Sequence, residues 1–270
     1  MSEEDNNVLT IKTVQIAPFK TLITALKDIL IETSIVFQPD GLKIVNMDKS
    51  HTIVVHLFLP AESFESFECK KDKIIIGANI LNFFKFLSML ETNETLTIYI
   101  KNDDYCDGIV TNLMLKFENE DKGSKTVKGM KLIDPDIEEM ICPDIEFSSI
   151  INMPSVEFQK NIKNLNVITD KVEIKSVGSE VIFSGKGELG TSETTYNECE
   201  GNLEFIKKQS SSKIIQGEFS LKNLGYFIKC TSLCPNIEIY LENDIPLIVK
   251  YNVASLGEIK LCLAPLPSSN

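Results

Sequence analysis

The chain has 270 residues, 43% hydrophobic and 24% charged, which is enough apolar material for one large or two small cores and too much for a disordered chain. No run approaches the ~18 apolar residues of a membrane span, and the opening Met-Ser-Glu-Glu-Asp-Asn-Asn lacks the apolar segment of a signal peptide, so the seven cysteines are expected to stay reduced. A net charge of −12 argues by itself against nucleic acid as a partner; all 27 basic residues are lysine, which removes the bidentate fork that reads bases and clamps transferred phosphates.

In chain order, a strand over Val8–Ile16 leads to a helix over 18–30. Alternating or β-branched strands follow at Ser34–Gln38, Leu42–Asn46, Thr52–Leu59 and Lys73–Gly77. A second helix, 79–90, precedes strands Thr95–Lys101 and Leu113–Phe117. Leu132–Phe147 holds two prolines and six acidic residues and reads as an extended surface linker. Beyond it come a third helix, 155–168, and strands Val172–Ser176, Val181–Ser184 and Ile214–Phe219. A fourth helix, 220–231, precedes strands Ile237–Glu242, Leu247–Val253 and Glu258–Leu263.

The two halves repeat one another. Phe19, Ile23, Leu26 and Ile29 of the first helix return as Phe158, Ile162, Leu165 and Ile168 of the third, 139 residues on (158 − 19). Ile80, Asn82, Phe86 and Leu87 return as Leu221, Asn223, Phe227 and Ile228 at an offset of 141 (221 − 80). The strand after each keeps that offset, Leu96-x-Ile98-Tyr99-Ile100 against Ile237-x-Ile239-Tyr240-Leu241. Two copies of one strand-and-helix unit are predicted.

Charge is partitioned by element. The four helical windows hold seven lysines, Lys20, Lys27, Lys85, Lys160, Lys163, Lys222 and Lys229, against only Asp28 and Glu157. The remaining twenty lysines face thirty-seven acidic residues. Spacings of seven (Lys20/Lys27, Lys222/Lys229) and three (Lys160/Lys163) put each pair on one helix face, away from the apolar stripe. Basic helices on an acidic body predict a surface that attracts phosphate without reading bases, which qualifies the inference from net charge.

Several segments resemble the proliferating-cell nuclear antigen family of sliding DNA clamps. They are Gly41–His51 (GLKIVNMDKSH), Phe183–Gly190 (FSGKGELG), Asn243–Tyr251 (NDIPLIVKY), Leu263–Pro265, Ala25–Asp28 and Met153–Ser155. The pieces run in family order from about residue 8 to 265. The resemblance implies an α+β chain of two clamp domains, 1–131 and 148–270, joined by a connector at 132–147. Three copies would form a homotrimeric ring, with helices and the seven lysines lining the bore and antiparallel sheets outside. Subunits would join through the edge segments near Lys125–Leu132 and Glu188–Asn197. A partner groove beneath the connector would use Met47, His51, Val54, Met140, Cys142, Pro246, Ala264 and Pro265. Implied partners are duplex DNA held topologically, a DNA polymerase and other proteins with clamp-binding peptides, and a clamp loader. No enzyme activity, cofactor, metal or membrane is implied; the place of action would be the nucleus or a site of viral DNA replication. Three features depart from the family: Lys128-Gly129 makes the first edge strand polar, Cys262 replaces a tyrosine, and the Val177–Ser179 turn has no modifiable lysine. A clamp paralogue acting in a heterotrimer or as a monomer, and a soluble enzyme with an unrecognised carboxylate site, remain open alternatives.

Other motifs point elsewhere only weakly. Gly185-Lys-Gly-Glu-Leu-Gly190 fits G-x-G-x-x-G, but Thr-Ser-Glu-Thr-Thr-Tyr follows where a dinucleotide site needs a helix. His51 and His56 are too few for a histidine metal site, and Cys230-x3-Cys234 lacks a second ligand pair. Asp103-Asp104 and Glu138-Glu139 read as solvated loop acids.

Overall fold

The computed structural model describes residues 6–136, 140, 145–210 and 213–267. The chain forms two units: one of Met1–Asp48, His56–Met140 and Val253–Glu258, the other of Lys49–Val55, Ile141–Asn252 and Ile259–Asn270. The first half runs β1 (Asn7–Thr13), α1 (Ile16–Leu26), β2 (Glu32–Gln38), β3 (Gly41–Met47), β4 (Ile53–Pro60), β5 (Ser66–Cys69), β6 (Ile74–Asn79), α2 (Ile80–Ser88) and β7 (Thr95–Lys101). It ends with the two-residue strands β8 (Tyr105–Cys106) and β9 (Ile109–Val110), then β10 (Asn112–Asn119) and β11 (Ser124–Lys131). The second half runs β12 (Ser149–Pro154), α3 (Ser155–Leu165), β13 (Lys171–Val177), β14 (Glu180–Gly187), β15 (Gly190–Asn197), β16 (Glu204–Lys207) and β17 (Ile215–Ser220). Then come α4 (Leu221–Phe227), a 3-10 helix (Ile228–Leu233), β18 (Asn236–Leu241), β19 (Leu247–Asn252) and β20 (Glu258–Leu263).

The duplication extends to strand order. The first unit has a sheet ordered β5-β1-β7-β10-β11, and the corresponding strands of the second half lie in the order β16-β12-β18-β19-β20. Likewise β6-β2-β3-β4 matches β17-β13-β14-β15. Helix α3 begins 139 residues after α1 (155 − 16) and is likewise eleven residues long; β13 begins 139 after β2 (171 − 32). Helix α4 begins 141 after α2 (221 − 80), and both start on the same device. The Asn79 side chain accepts the Asn82 N–H at 3.0 Å, and the Ser220 hydroxyl accepts the Asn223 N–H at 3.4 Å. Each cap satisfies a backbone donor that the first helical turn leaves open.

Burial explains why these segments fold as they do. Strand β4 alternates buried and half-buried residues along all eight positions, the period of a pleated strand with one face in the core. Helix α1 buries Phe19, Leu22, Ile23 and Leu26, and Phe19 meets Phe83 of α2 edge-on at 6.2 Å between ring centroids. In the second unit Phe158 of α3 instead meets Phe183 of strand β14 edge-on, at 6.3 Å. Aromatic pairs in this geometry add to the gain from burial.

Three expectations need correcting. Ile16 opens α1 instead of closing β1, because Val14 and Gln15 already turn the chain: the Ile16 N–H bonds the Val14 carbonyl at 2.9 Å. Helix α1 ends at Leu26, so Lys27 is its C-cap; the Ile29 and Leu30 N–H groups both fold onto the Leu26 carbonyl and bury two apolar side chains there. The fourth helix tightens after Phe227. Gly225 lowers the helical preference of so short a segment. The Ile228 carbonyl instead takes the Gln159 amide at 3.1 Å and the Thr231 hydroxyl at 2.6 Å. The spacing argument for Lys222 and Lys229 therefore lapses, since the first sits on an α-helix and the second on a 3-10 turn.

The glycine motif serves sheet packing. Gly187 and Gly190 face each other where β14 turns into β15, and no helix follows. A Cβ at Gly187 would stand 1.9 Å from the Ile168 carbonyl, so the residue lets the strand approach the chain leaving α3. Gly77 does similar work in the first unit. The Ile133 N–H bonds its carbonyl at 3.0 Å, a Cβ there would lie 2.4 Å from the Ile133 oxygen, and Ser34 donates to the Asp136 carbonyl at 2.7 Å. The chain leaving β11 is thus stitched onto β6 and β2.

Candidate functional site

The seven helix lysines divide into two groups. Lys20 is half-buried, and its ammonium donates to the Leu90 carbonyl at 2.8 Å, just past the C-cap of α2. A helix C-terminus leaves carbonyls unpaired and carries partial negative charge, so a cation is favoured there. Lys27 lies 2.9 Å from Asp28 Oδ1 and 5.1 Å from the Phe84 ring centroid, with 21% of its side chain exposed. These two lysines tie α1 to its surroundings. The other five are exposed: Lys85 on α2, Lys160 and Lys163 on α3, Lys222 on α4 and Lys229 on the 3-10 turn, 5.6 Å from the Tyr226 ring centroid. Lys160 has a loose neighbour in Glu157 at 3.8 Å.

A cluster that periodicity alone misses supports α3. Tyr196 of β15 accepts a hydrogen bond from Asn161 Nδ2 at 2.7 Å and donates to Glu157 Oε2 at 3.2 Å, while its ring meets Phe183 edge-on at 6.1 Å. Burial, with the Glu157 carboxylate, raises the phenol above its ordinary value against the opposing Asn161 bond, so it stays protonated and donates. The signal in the sequence is a lone aromatic among threonines, which shows where the residue is and not what it binds.

The groove positions are placed as follows. Met47 closes β3, and Met140 is half-buried; both belong to the first unit. In the second unit His51 is exposed at a positive φ of 56°, and Val54 is half-buried on β4. The Ala264 N–H bonds the Thr52 carbonyl at 2.9 Å, which brings Ala264 and Pro265 alongside the His51–Val54 segment. The tail continues with the Leu266 N–H on the Glu218 carbonyl at 2.8 Å. Pro246 is half-buried on the β18–β19 turn. Cys142 lies outside the described residues.

A second unforeseen cluster fixes the chain where it enters the second unit. Glu242 accepts the Ser148 N–H at 2.8 Å, the Lys213 ammonium at 3.0 Å and the Asn243 N–H at 3.2 Å. Burial raises its pKa, but bonds from the Ser148 hydroxyl, Lys213 and the two backbone amides outweigh that and bring it down to about 2. The cysteine pair is chemically quiet by contrast. Burial, reinforced by Cys234, pushes the Cys230 thiol up to about 12, so it is protonated at neutral pH and a poor nucleophile.

Comparison with known proteins agrees along almost the whole chain. A family model described as the proliferating cell nuclear antigen N-terminal domain matches residues 8–139, and one for the C-terminal domain matches residues 141–266. A protein called "Probable DNA polymerase sliding clamp 1", from Paramecium bursaria Chlorella virus 1, is 34% identical over 278 aligned positions, covering 98% of this chain and all of that protein. A "Probable DNA polymerase sliding clamp" from Acanthamoeba polyphaga mimivirus is 32% identical over 230 positions. That match covers 85% of the chain and 48% of the relative, so the chain spans about half of the longer protein.

Proposed function

Because the chain belongs to the proliferating cell nuclear antigen family, we propose that it is a sliding clamp: a homotrimeric ring that encircles duplex DNA and keeps a DNA polymerase on its template. The observation that carries this reading is the basic character of the four helical segments in a chain of net charge −12. Lys85, Lys160, Lys163, Lys222 and Lys229 would face the phosphates. Lys20 and Lys27 would add to the field while holding their helices in place. Lysine suits the task, because a mobile point charge makes contacts that break and re-form without base preference.

In this reading residues 1–131 and 148–270 are the two clamp domains, and 132–147 is the connector. Met47, His51, Val54, Met140, Cys142, Pro246, Ala264 and Pro265 receive a peptide from the polymerase and from other DNA-processing proteins. Methionine and proline offer an adaptable apolar surface suited to several ligands. A clamp loader opens the ring onto DNA. The clamp tethers and does no chemistry, and it works where DNA is replicated, in the nucleus or at a site of viral DNA replication.

The test is topological. Loaded onto a nicked circular duplex, the protein is expected to persist at a salt concentration that abolishes binding to a short linear duplex, and one cut in the circle should release it. Counterion release makes the lysine–phosphate contacts themselves weaken steeply with salt. Tight, salt-resistant binding to a short linear duplex would count against the clamp and for a conventional DNA-binding protein.

A further inference from the structure

The two acidic residues of the helical segments, Asp28 and Glu157, are handled differently. Asp28 is bridged by Lys27 at 2.9 Å, so the first unit commits a lysine to it. Glu157 stands three residues before Lys160 on α3, a spacing at which side chains on a helix meet. Its Oε2 nevertheless lies 3.8 Å from the Lys160 ammonium, beyond hydrogen-bond reach, and accepts the Tyr196 hydroxyl at 3.2 Å. The Lys160 side chain remains 66% exposed.

The tyrosine is itself held in place. Asn161 Nδ2 donates to its oxygen at 2.7 Å, which leaves the hydroxyl proton for Glu157. Phe183 braces the ring edge-on. Asn161 is 4% exposed, and burying an amide is costly unless it is hydrogen-bonded. The positions 139 residues earlier, in α1, show that packing alone does not call for this set. Glu157 answers to Pro18 (157 − 139), Lys160 to Thr21 (160 − 139) and Asn161 to Leu22 (161 − 139), the last wholly buried. Where the first unit fills its core with leucine, the second keeps a polar side chain whose bond goes to Tyr196.

We infer that Tyr196 is a positioning residue for the basic surface: its hydroxyl holds the Glu157 carboxylate off Lys160, so that α3 offers both of its lysines to a phosphate backbone. The inference rests on the clamp reading above and concerns what keeps that charge available. An exposed ion pair between helix neighbours is weak, so one hydrogen bond to the carboxylate is enough to decide where it rests. Without the hydroxyl, Glu157 turns to Lys160, and a phosphate must displace a carboxylate before it gains the lysine.

The test is the slope of log affinity against log salt for a short linear duplex, measured at low salt by fluorescence anisotropy on the full chain. Lys160→Gln removes a phosphate contact and should make the slope shallower by about 0.9. Tyr196→Phe should move it most of the way to that value, although every lysine is still present. Adding Glu157→Gln to Tyr196→Phe should restore the parent slope, whereas Glu157→Gln alone should change it little. Thermal melts run alongside: any stability lost in Tyr196→Phe should stay lost in the double variant, so recovery of the slope separates positioning from folding. A Tyr196→Phe slope equal to the parent's would overturn the inference and leave the clamp reading standing. So would a folded double variant as shallow as Tyr196→Phe, or an equal effect of Glu157→Gln with and without the hydroxyl. A Lys160→Gln slope equal to the parent's would overturn the DNA-facing role proposed for α3, and the inference with it.

Discussion

Helices α1 and α3 have the same length and stand 139 residues apart (155 − 16), yet they use lysine differently. α1 and its C-cap turn their two lysines inward, onto the Leu90 carbonyl and onto Asp28 and Phe84. α3 presents Lys160 and Lys163 to solvent, and the helical segment beyond β17 adds Lys222 and Lys229, against Lys85 alone in the first unit. The buried positions tell the opposite story. Phe19 and Phe158 correspond, both are buried, and each meets a second phenylalanine edge-on. The duplicated helix keeps Phe, Ile and Leu at three buried positions (Phe19/Phe158, Ile23/Ile162, Leu26/Leu165), exchanges Ile16 and Leu22 for buried Ser155 and Asn161, and redistributes its charge, where solvent tolerates change.

The correspondence of Phe19 and Phe158 can be broken directly. Phe158→Ala and Phe19→Ala should each cost ~3–5 kcal/mol of stability, as large buried side chains do. Urea unfolding followed by circular dichroism measures both, and a loss below ~1 kcal/mol at one site alone would end the claim that the two phenylalanines do the same work. The asymmetry of the surfaces is tested next. Replacing Lys160, Lys163 and Lys222 together by Glu should lower clamp-dependent DNA synthesis at least about tenfold at ~150 mM salt, whereas Lys85→Glu alone should lower it less than about twofold. Equal effects would mean that the exposed lysines of both units share the work.

A smaller effect sharpens the contrast at the entry to the second unit. Glu242 has its pKa brought down to about 2 from 4.5, so its contribution is fully present above about pH 4.5 and is lost as pH falls towards 2. Glu242→Gln should cost ~1 kcal/mol at pH 7, allowing for solvent screening around the partly exposed Lys213. The gap between variant and parent should close on acidification below about 4.5. The smallest change concerns the paired caps. Asn79→Ala and Ser220→Ala should each cost ~0.5–1 kcal/mol, with Ser220 at the lower end because its bond is longer, 3.4 against 3.0 Å. Thermal melts of the two variants check the order.

Much of the fold was legible because its signals are local. The strand at Glu258–Leu263 was bounded correctly, and the repeat of apolar spacing named the helices and both offsets. Short or polar strands were harder. β5 and β16 have four residues each, too few for alternation to declare itself. β11 buries only Met130, so the first edge strand came from resemblance and not from pattern. In the candidate site the shared exposure of Lys160 and Lys163 follows from their spacing on α3, but that of Lys222 and Lys229 does not, and neither does the diversion of Lys20, because its acceptor is a backbone carbonyl seventy residues away. The Ser148–Lys213–Glu242 cluster joins residues up to ninety-four positions apart, and no window of sequence contains it.

The stitch at Gly77 has a consequence in time. Ile133 lies past the last strand of the first half, where an amide would ordinarily exchange its hydrogen as a loop does. Its N–H is instead bonded to the Gly77 carbonyl of β6. Its exchange should therefore wait for that strand to open, at the rate of the sheet and not of the loop. Deuterium uptake at this one residue would act as a clock for the first unit's sheet, and a ligand that holds the start of the connector would slow it.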